Sequence, residues 1–205
     1  MSILVVSSRL SSNRREALTN LVSIEGRPEV IDGAEFGPRA LTSDLSAVVI
    51  DGPSPAVNDW LTTAAEASGL AIIGIGVPMF GVEVATAVPT GEVIAENDDP
   101  TNALSARLDC EFTLWDSFTP LITDHGGVTT LLSVSHRYVR WPAVVVGRRG
   151  RCRFVVSGLG HTDTALVTPA LTTLFRRGMR SALPEGTSPT LGLGVVGYGR
   201  YGGMG

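Results

Sequence analysis

Short, uninterrupted apolar runs alternate with segments of helical spacing through the first part of the chain. Residues 3–6, 47–50 and 70–75 form three such runs, rich in Val and Ile. Runs of this length without polar alternation predict strands buried on both faces. Between the first two, Ser11, Ser12 and Asn13 offer N-caps to a helix that places Ala17, Leu18, Leu21 and Val22 on one face. That helix stops near Gly26, and residues 29–31 follow as a brief extended segment. Between the second and third runs, Ser54 can cap and Pro55 can take the first helical position, while Val57, Leu61, Ala64 and Ala65 keep helical spacing up to Gly69. Strands and helices alternating in this way predict a parallel sheet covered on both faces, so residues 1–80 read as doubly wound α/β.

The pattern then changes. Residues 81–119 hold a polar break at 96–100 and a mixed segment at 106–118 that fits neither period. Residues 128–134, 142–146 and 152–156 are β-rich, and Gly147-Arg148-Arg149-Gly150 has the length and the glycines of a hairpin loop between the last two. A final helix starts with Thr168 as cap and Pro169 in the first position, carries Leu171, Leu174, Phe175, Gly178, Met179 and Ala182 on one face, and ends at Pro184 and Gly186. Residues 184–190 read as a linker to the glycine-rich string LGLGVVGYGRYGGMG.

Composition narrows the classes. With 205 residues, 43% of them hydrophobic, the chain supports one full core and an appendage. A formal charge of -4 gives no broad basic field, which argues against nucleic acid as a partner. All sixteen basic residues are arginine, which removes lysine-based Schiff-base chemistry. Six of them fall between Arg137 and Arg153, where they suit either a solvated hairpin edge protected by charge or an anion or partner site. Neither a signal segment nor a run of the roughly 20 apolar residues that cross a bilayer is visible, so no membrane is expected and a cytoplasmic location is. Cys110 and Cys152 lack metal or redox spacing and are expected to be small core residues.

In an open parallel sheet, ligands collect where the chain leaves the carboxyl ends of the strands. That rule selects Ser7, Asp51, the turn holding Gly74 and Gly76, and His161. His161 follows two glycines in SGLGHTD and can act as acid, base or donor; alternatively it orders its own loop through Asp163 or backbone. Asp51 can line the crevice or simply form a turn with Gly52 and Pro53. His125, in the turn Asp124-His125-Gly126-Gly127, and His136, among arginines, read as structural or solvated. No pair of histidines has metal-ligand spacing, so no metal is expected. The IGIGVPMFG turn holds no cysteine or serine nucleophile. In the tail, Gly197, Gly199 and Gly202 follow a short apolar run with the spacing of a dinucleotide-binding turn; the helix and acidic residue that complete such a site do not follow by Gly205.

The segment WPAVVVGRRGRCRFVVSGLGHTDTALVTPALTTLFRRGMRSAL resembles the C-terminal signature of trehalose-utilisation (ThuA-like) domains, and ARLDCEFTLWDSFTPL resembles their middle segment. The resemblance covers residues 1–183. It implies the class I glutamine amidotransferase-like superfamily: a flavodoxin-like three-layer α/β sandwich with a mainly parallel central sheet and a β-hairpin near the C-terminal half. It also implies a role in sugar or keto-sugar metabolism beside an NAD(P)-dependent sugar oxidoreductase. The missing cysteine sets amidotransferase catalysis apart, and the resemblance does not decide whether the domain is an enzyme. GVVGYGRYGGMG resembles the opening strand and turn of a Gfo/Idh/MocA-type oxidoreductase, so residues 191–205 are expected to begin a truncated second domain, with NAD(P) bound only in a longer chain. The other readings are a non-catalytic interaction module for that oxidoreductase, with possible homo-oligomerisation, and a small-molecule hydrolase of the superfamily.

Overall fold

The structure, a computed structural model, describes residues 2–37, 41, 44–63, 65–123 and 127–181. The chain begins with β1 (Ser2–Ser7), α1 (Ser12–Ser23), β2 (Arg27–Asp32), β3 (Leu45–Asp51), α2 (Pro55–Thr63), α3 (Ala65–Ser68) and β4 (Ala71–Ile75). It continues through β5 (Val82–Val84), β6 (Gly91–Asn97), β7 (Glu111–Asp116), β8 (Leu121–Thr123), β9 (Val128–His136), β10 (Val139–Arg149) and β11 (Cys152–Ser157), and closes with α4 (Asp163–Leu166) and α5 (Pro169–Arg180). Ala64, His125 and the whole tail, with the expected linker at 184–190 and Gly197, Gly199 and Gly202, lie outside the described residues.

Nine strands form one sheet in the order β2-β1-β3-β4-β11-β10-β9-β6-β7, and β5 pairs with β8 separately. From β2 to β11 every pairing is parallel. From β11 onward, through β10, β9, β6 and β7, every pairing is antiparallel. This is the expected α/β flavodoxin-like sandwich, extended on one side by an antiparallel wing.

The apolar runs are continuous because successive side chains enter two different cores. Ile3, Val5, Val49 and Ile73 pack with Leu18 and Leu21 of α1 and with Leu171, Leu174, Phe175 and Met179 of α5. Leu4, Val6, Val48, Ile50 and Ile72 pack on the other side with Val57, Trp60 and Leu61 of α2. At the outer end of the wing β6 and β7 bury one face and alternate: Val93, Ala95 and Leu114 are buried while Ile94 and Trp115 are exposed.

Several local expectations change. Ser11 caps α1 by accepting a hydrogen bond from the Arg14 amide, but the Ser54 hydroxyl donates to the Gly33 carbonyl instead of capping α2. Thr168 occupies the N-cap position of α5 without a side-chain cap bond. The arginine-rich hairpin is not an edge, because β10 and β11 are interior strands flanked by β9 and β4; its turn and the start of β10, at Val139 and Arg140, reach solvent. Cys152 is buried as expected, whereas Cys110 is exposed just before β7, in a segment that one-sided burial leaves at the surface. No described helix is long and apolar enough to cross a membrane.

Candidate functional site

The carboxyl ends of β1, β3, β4 and β11 converge, and the polar residues at those exits form one connected network. At its centre Asp51, the last residue of β3, is fully buried. Arg14, from the first turn of α1 and itself buried, donates Nε to Oδ2 at 2.8 Å and Nη2 to Oδ1 at 2.5 Å. The Ser7 hydroxyl donates to Oδ2 at 2.7 Å. Arg9, on the connection between β1 and α1, brings Nη2 to Oδ1 at 2.5 Å and also donates to the Ile75 carbonyl. Burial alone raises a carboxyl group, yet the hydrogen bonds and charge of Arg14, followed by the charge of Arg9 and the Ser7 bond, hold Asp51 below its ordinary range. Arg14 is likewise held above its ordinary value: burial opposes its charge, and Asp51 and Asp163 more than compensate.

His161 stands over this pair. Arg9 Nη1 lies 2.9 Å from Nδ1, and Thr119 Oγ1 lies 3.0 Å from Nε2. A guanidinium only donates, so Nδ1 accepts and the imidazole proton resides on Nε2, which donates to Thr119. Burial lowers the His161 pKa, and the charges of Arg9 and Arg14 lower it further against the opposing pull of Asp116 and Asp51. The ring is therefore a neutral imidazole with a fixed tautomer. Its loop is set from below: the Asp116 carboxylate accepts from the Gly160, His161 and Thr162 amides, and Arg14 donates to the Gly160 and His161 carbonyls. Asp163 does not touch the ring but reaches Arg14 at 3.5 Å.

The expected site residues thus separate. His161 and Gly76 meet at the exit of the sheet: Gly76 has φ +64°, and an added Cβ would lie 2.5 Å from His161 Cε1, so the imidazole packs on bare backbone there. Ser7 and Asp51 lie beneath the surface and hold the arginines in place. Gly74 points elsewhere, under the thioether end of Met79. The residues the sequence did not single out are Arg9, Arg14, Asp116 and Thr119. The first two carried a readable signal, since both lie just past a strand exit in an α/β pattern. Asp116 and Thr119 belong to a strand and loop that the mixed segment concealed.

Beyond β4 the chain runs Gly76-Val77-Pro78, with no nucleophilic side chain. Among the described residues no group of three His, Cys, Asp or Glu side chains could hold a metal ion. The network can bind, orient and accept or donate hydrogen bonds; it holds a neutral base and a partly exposed cation side by side.

No protein-family model and no curated protein matches the sequence. Solved structures do. A ThuA-like protein of Bacteroides uniformis superposes with a TM-score of 0.69 at 13% identity, over 90% of this chain and 91% of that one. A glutamine amidotransferase of Thermotoga maritima gives 0.61 at 13%, over 89% and 97%. A β-galactosidase of Bacillus circulans gives 0.57 at 10%, over 86% of this chain and 31% of its own. The chain therefore has the α/β fold shared by this ThuA-like protein and this glutamine amidotransferase, over about nine-tenths of its length.

Proposed function

We propose that this chain is a ThuA-like domain that binds a sugar or keto-sugar at the carboxyl edge of its sheet and works with an NAD(P)-dependent sugar oxidoreductase. The observation that carries the reading is His161, a neutral imidazole held by Thr119 and Arg9 where four parallel strands end. The fold likeness to a ThuA-like protein over nine-tenths of both chains supports it, as does the occurrence of this fold within a β-galactosidase. NAD(P) belongs to the oxidoreductase in this reading. The β1–α1 connection, where a dinucleotide rests its pyrophosphate on glycine backbone in related topologies, is Ser8-Arg9-Leu10-Ser11 here, and Arg9 folds across it. The oxidoreductase resemblance of the tail, with Gly197, Gly199 and Gly202, is the sequence support for the partnership.

The test is saturable binding of a keto-disaccharide, measured by calorimetry. His161→Ala weakens it about tenfold or more, as the loss of a charge-free hydrogen-bonding partner and of its contact surface requires. A folded variant that binds as the parent does removes the site assignment. One observation favours the second reading, a non-catalytic interaction module: Trp115 and Ile94, 60% and 44% exposed, share the uncovered face of β6 and β7. A chain that ignores the sugar but associates with the oxidoreductase through that face carries it instead.

A further inference from the structure

Two guanidinium groups converge on one carboxylate at the carboxyl edge, and they do not hold it equally. Arg14 is buried and takes both oxygens of Asp51. Arg9 shares one of those oxygens from the outside, with 36% of its side chain exposed. The other acids of the network are committed elsewhere: Asp116 to three backbone amides, Asp163 to Arg14. Arg9 fills its remaining reach with neutral acceptors, His161 Nδ1 and the Ile75 carbonyl. Arg14 is thus enclosed between Asp51 and Asp163, and of the two guanidiniums it is Arg9 that presents a face to solvent.

We infer that, granting the proposed sugar-binding role, the ligand of this site is an acidic sugar, a carbohydrate carrying a carboxylate or phosphate, whose oxyanion draws the Arg9 guanidinium off His161 Nδ1. The planar fork of arginine suits a two-oxygen anion, and a charge-assisted bond to an oxyanion is roughly twice as strong as one between neutral partners. Exchange of a neutral nitrogen for an oxyanion is therefore favourable at this position. It has a second consequence. Thr119 keeps Nε2, so the ring does not turn, and Nδ1 is left as an oriented lone pair beside the bound anion. A sugar hydroxyl next to the acidic group then donates to Nδ1. Arg14 takes no part, because leaving Asp51 would strand both charges in the interior. The arrangement reads two features of a ligand together: an anionic group on Arg9 and a neighbouring hydroxyl on His161.

The experiment compares glucuronate, glucose 6-phosphate, glucose and the neutral keto-disaccharide on the parent protein by calorimetry, with the His161 ring nitrogens followed by NMR. The expected result is that at least one acidic sugar binds about tenfold or more tighter than glucose and the keto-disaccharide, with Nδ1 shifting on binding while Nε2 stays protonated. The carboxylate and phosphate arms identify which acid is preferred. In Arg9→Gln the preference falls below about threefold, a loss of most of that tenfold term. Acidic and neutral sugars binding the parent equally well would overturn the inference and leave the sugar-binding reading intact. Binding of none of them removes both. Should Arg9→Gln fail to fold, the parent's ligand preference and the Nδ1 shift decide the matter alone.

Discussion

Asp51 shows how one buried residue organises a site without touching its ligand. The carboxylate is fully enclosed and bears a charge only because Arg14, Arg9 and Ser7 surround it. Removing that charge takes from Arg14 its buried partner and leaves it only the half-exposed Asp163 at 3.5 Å, so Asp51→Asn destabilises the fold by about 3 kcal/mol, measured by urea denaturation at neutral pH. The same shifts fix the response to acid. His161 is held below its ordinary value of 6.5 in the folded chain, so below that pH the unfolded chain takes up a proton first and stability falls until the folded ring protonates too. Asp51 is held below its ordinary 3.8, so its contribution is complete above that pH and is lost as the pH falls further. Two separate losses are expected, with the upper one absent in His161→Gln. A stability that is flat between pH 7 and 5 contradicts the buried, neutral imidazole. Sequence gave the positions Asp51 and His161 through the strand-exit rule, but not the roles. Whether an aspartate at an exit faces ligand or interior depends on which cation reaches it, and Arg14 reaches it from a neighbouring helix.

At the scale of elements, legibility followed burial. β1, β3, β4 and β11 are enclosed on both faces, so their apolar runs are unbroken and were readable. β6 and β7 bury one face, and β7 places Glu111, Thr113 and Trp115 outward, which mixes with flanking polar residues and hides the strand. The cost fell on the site, because Asp116 ends β7 and Thr119 lies in the loop beyond it. That loop is docked on the end of β11 by a hydrogen bond from the Thr119 amide to the Gly158 carbonyl at 2.9 Å. The approach is close enough that a Cβ at Gly158 would collide with the Thr119 carbonyl oxygen. Because that neighbour is backbone, it cannot move aside as a side chain would. Gly158→Ala therefore costs about 1–3 kcal/mol or more in stability, and it breaks the Thr119 contact to His161 Nε2. NMR of the His161 ring checks this: Arg9 still donates to Nδ1 and keeps the proton on Nε2, so a shift of the Nε2–H signal as it loses Thr119 is expected, and an unchanged ring spectrum contradicts the docking.

Across the whole molecule, β11 joins two kinds of sheet, pairing parallel with β4 and antiparallel with β10. The two thiols sample the two sides of that junction. Cys110 lies exposed before β7, while Cys152 begins β11 with its side chain buried under α2 and α3. Burial pushes the Cys152 thiol up to about 12, with the Glu66 charge adding to the effect, so at pH 8 almost no reactive thiolate is present in the folded state. Exposed strand ends and loops open at little cost, whereas a central strand opens only when the sheet does. A thiol reagent should accordingly modify Cys110 at once and Cys152 at the rate of global unfolding. The measurement is cleanest in Cys110→Ser, where the single remaining thiol is followed against urea. A dependence on urea as steep as that of equilibrium unfolding is expected, because exposing Cys152 requires β11 to part from β4 and β10 and α3 to lift. Labelling of Cys152 that is fast and nearly independent of urea would mean that the antiparallel wing opens without the parallel half, and that the two parts of the sheet do not fold as one cooperative unit.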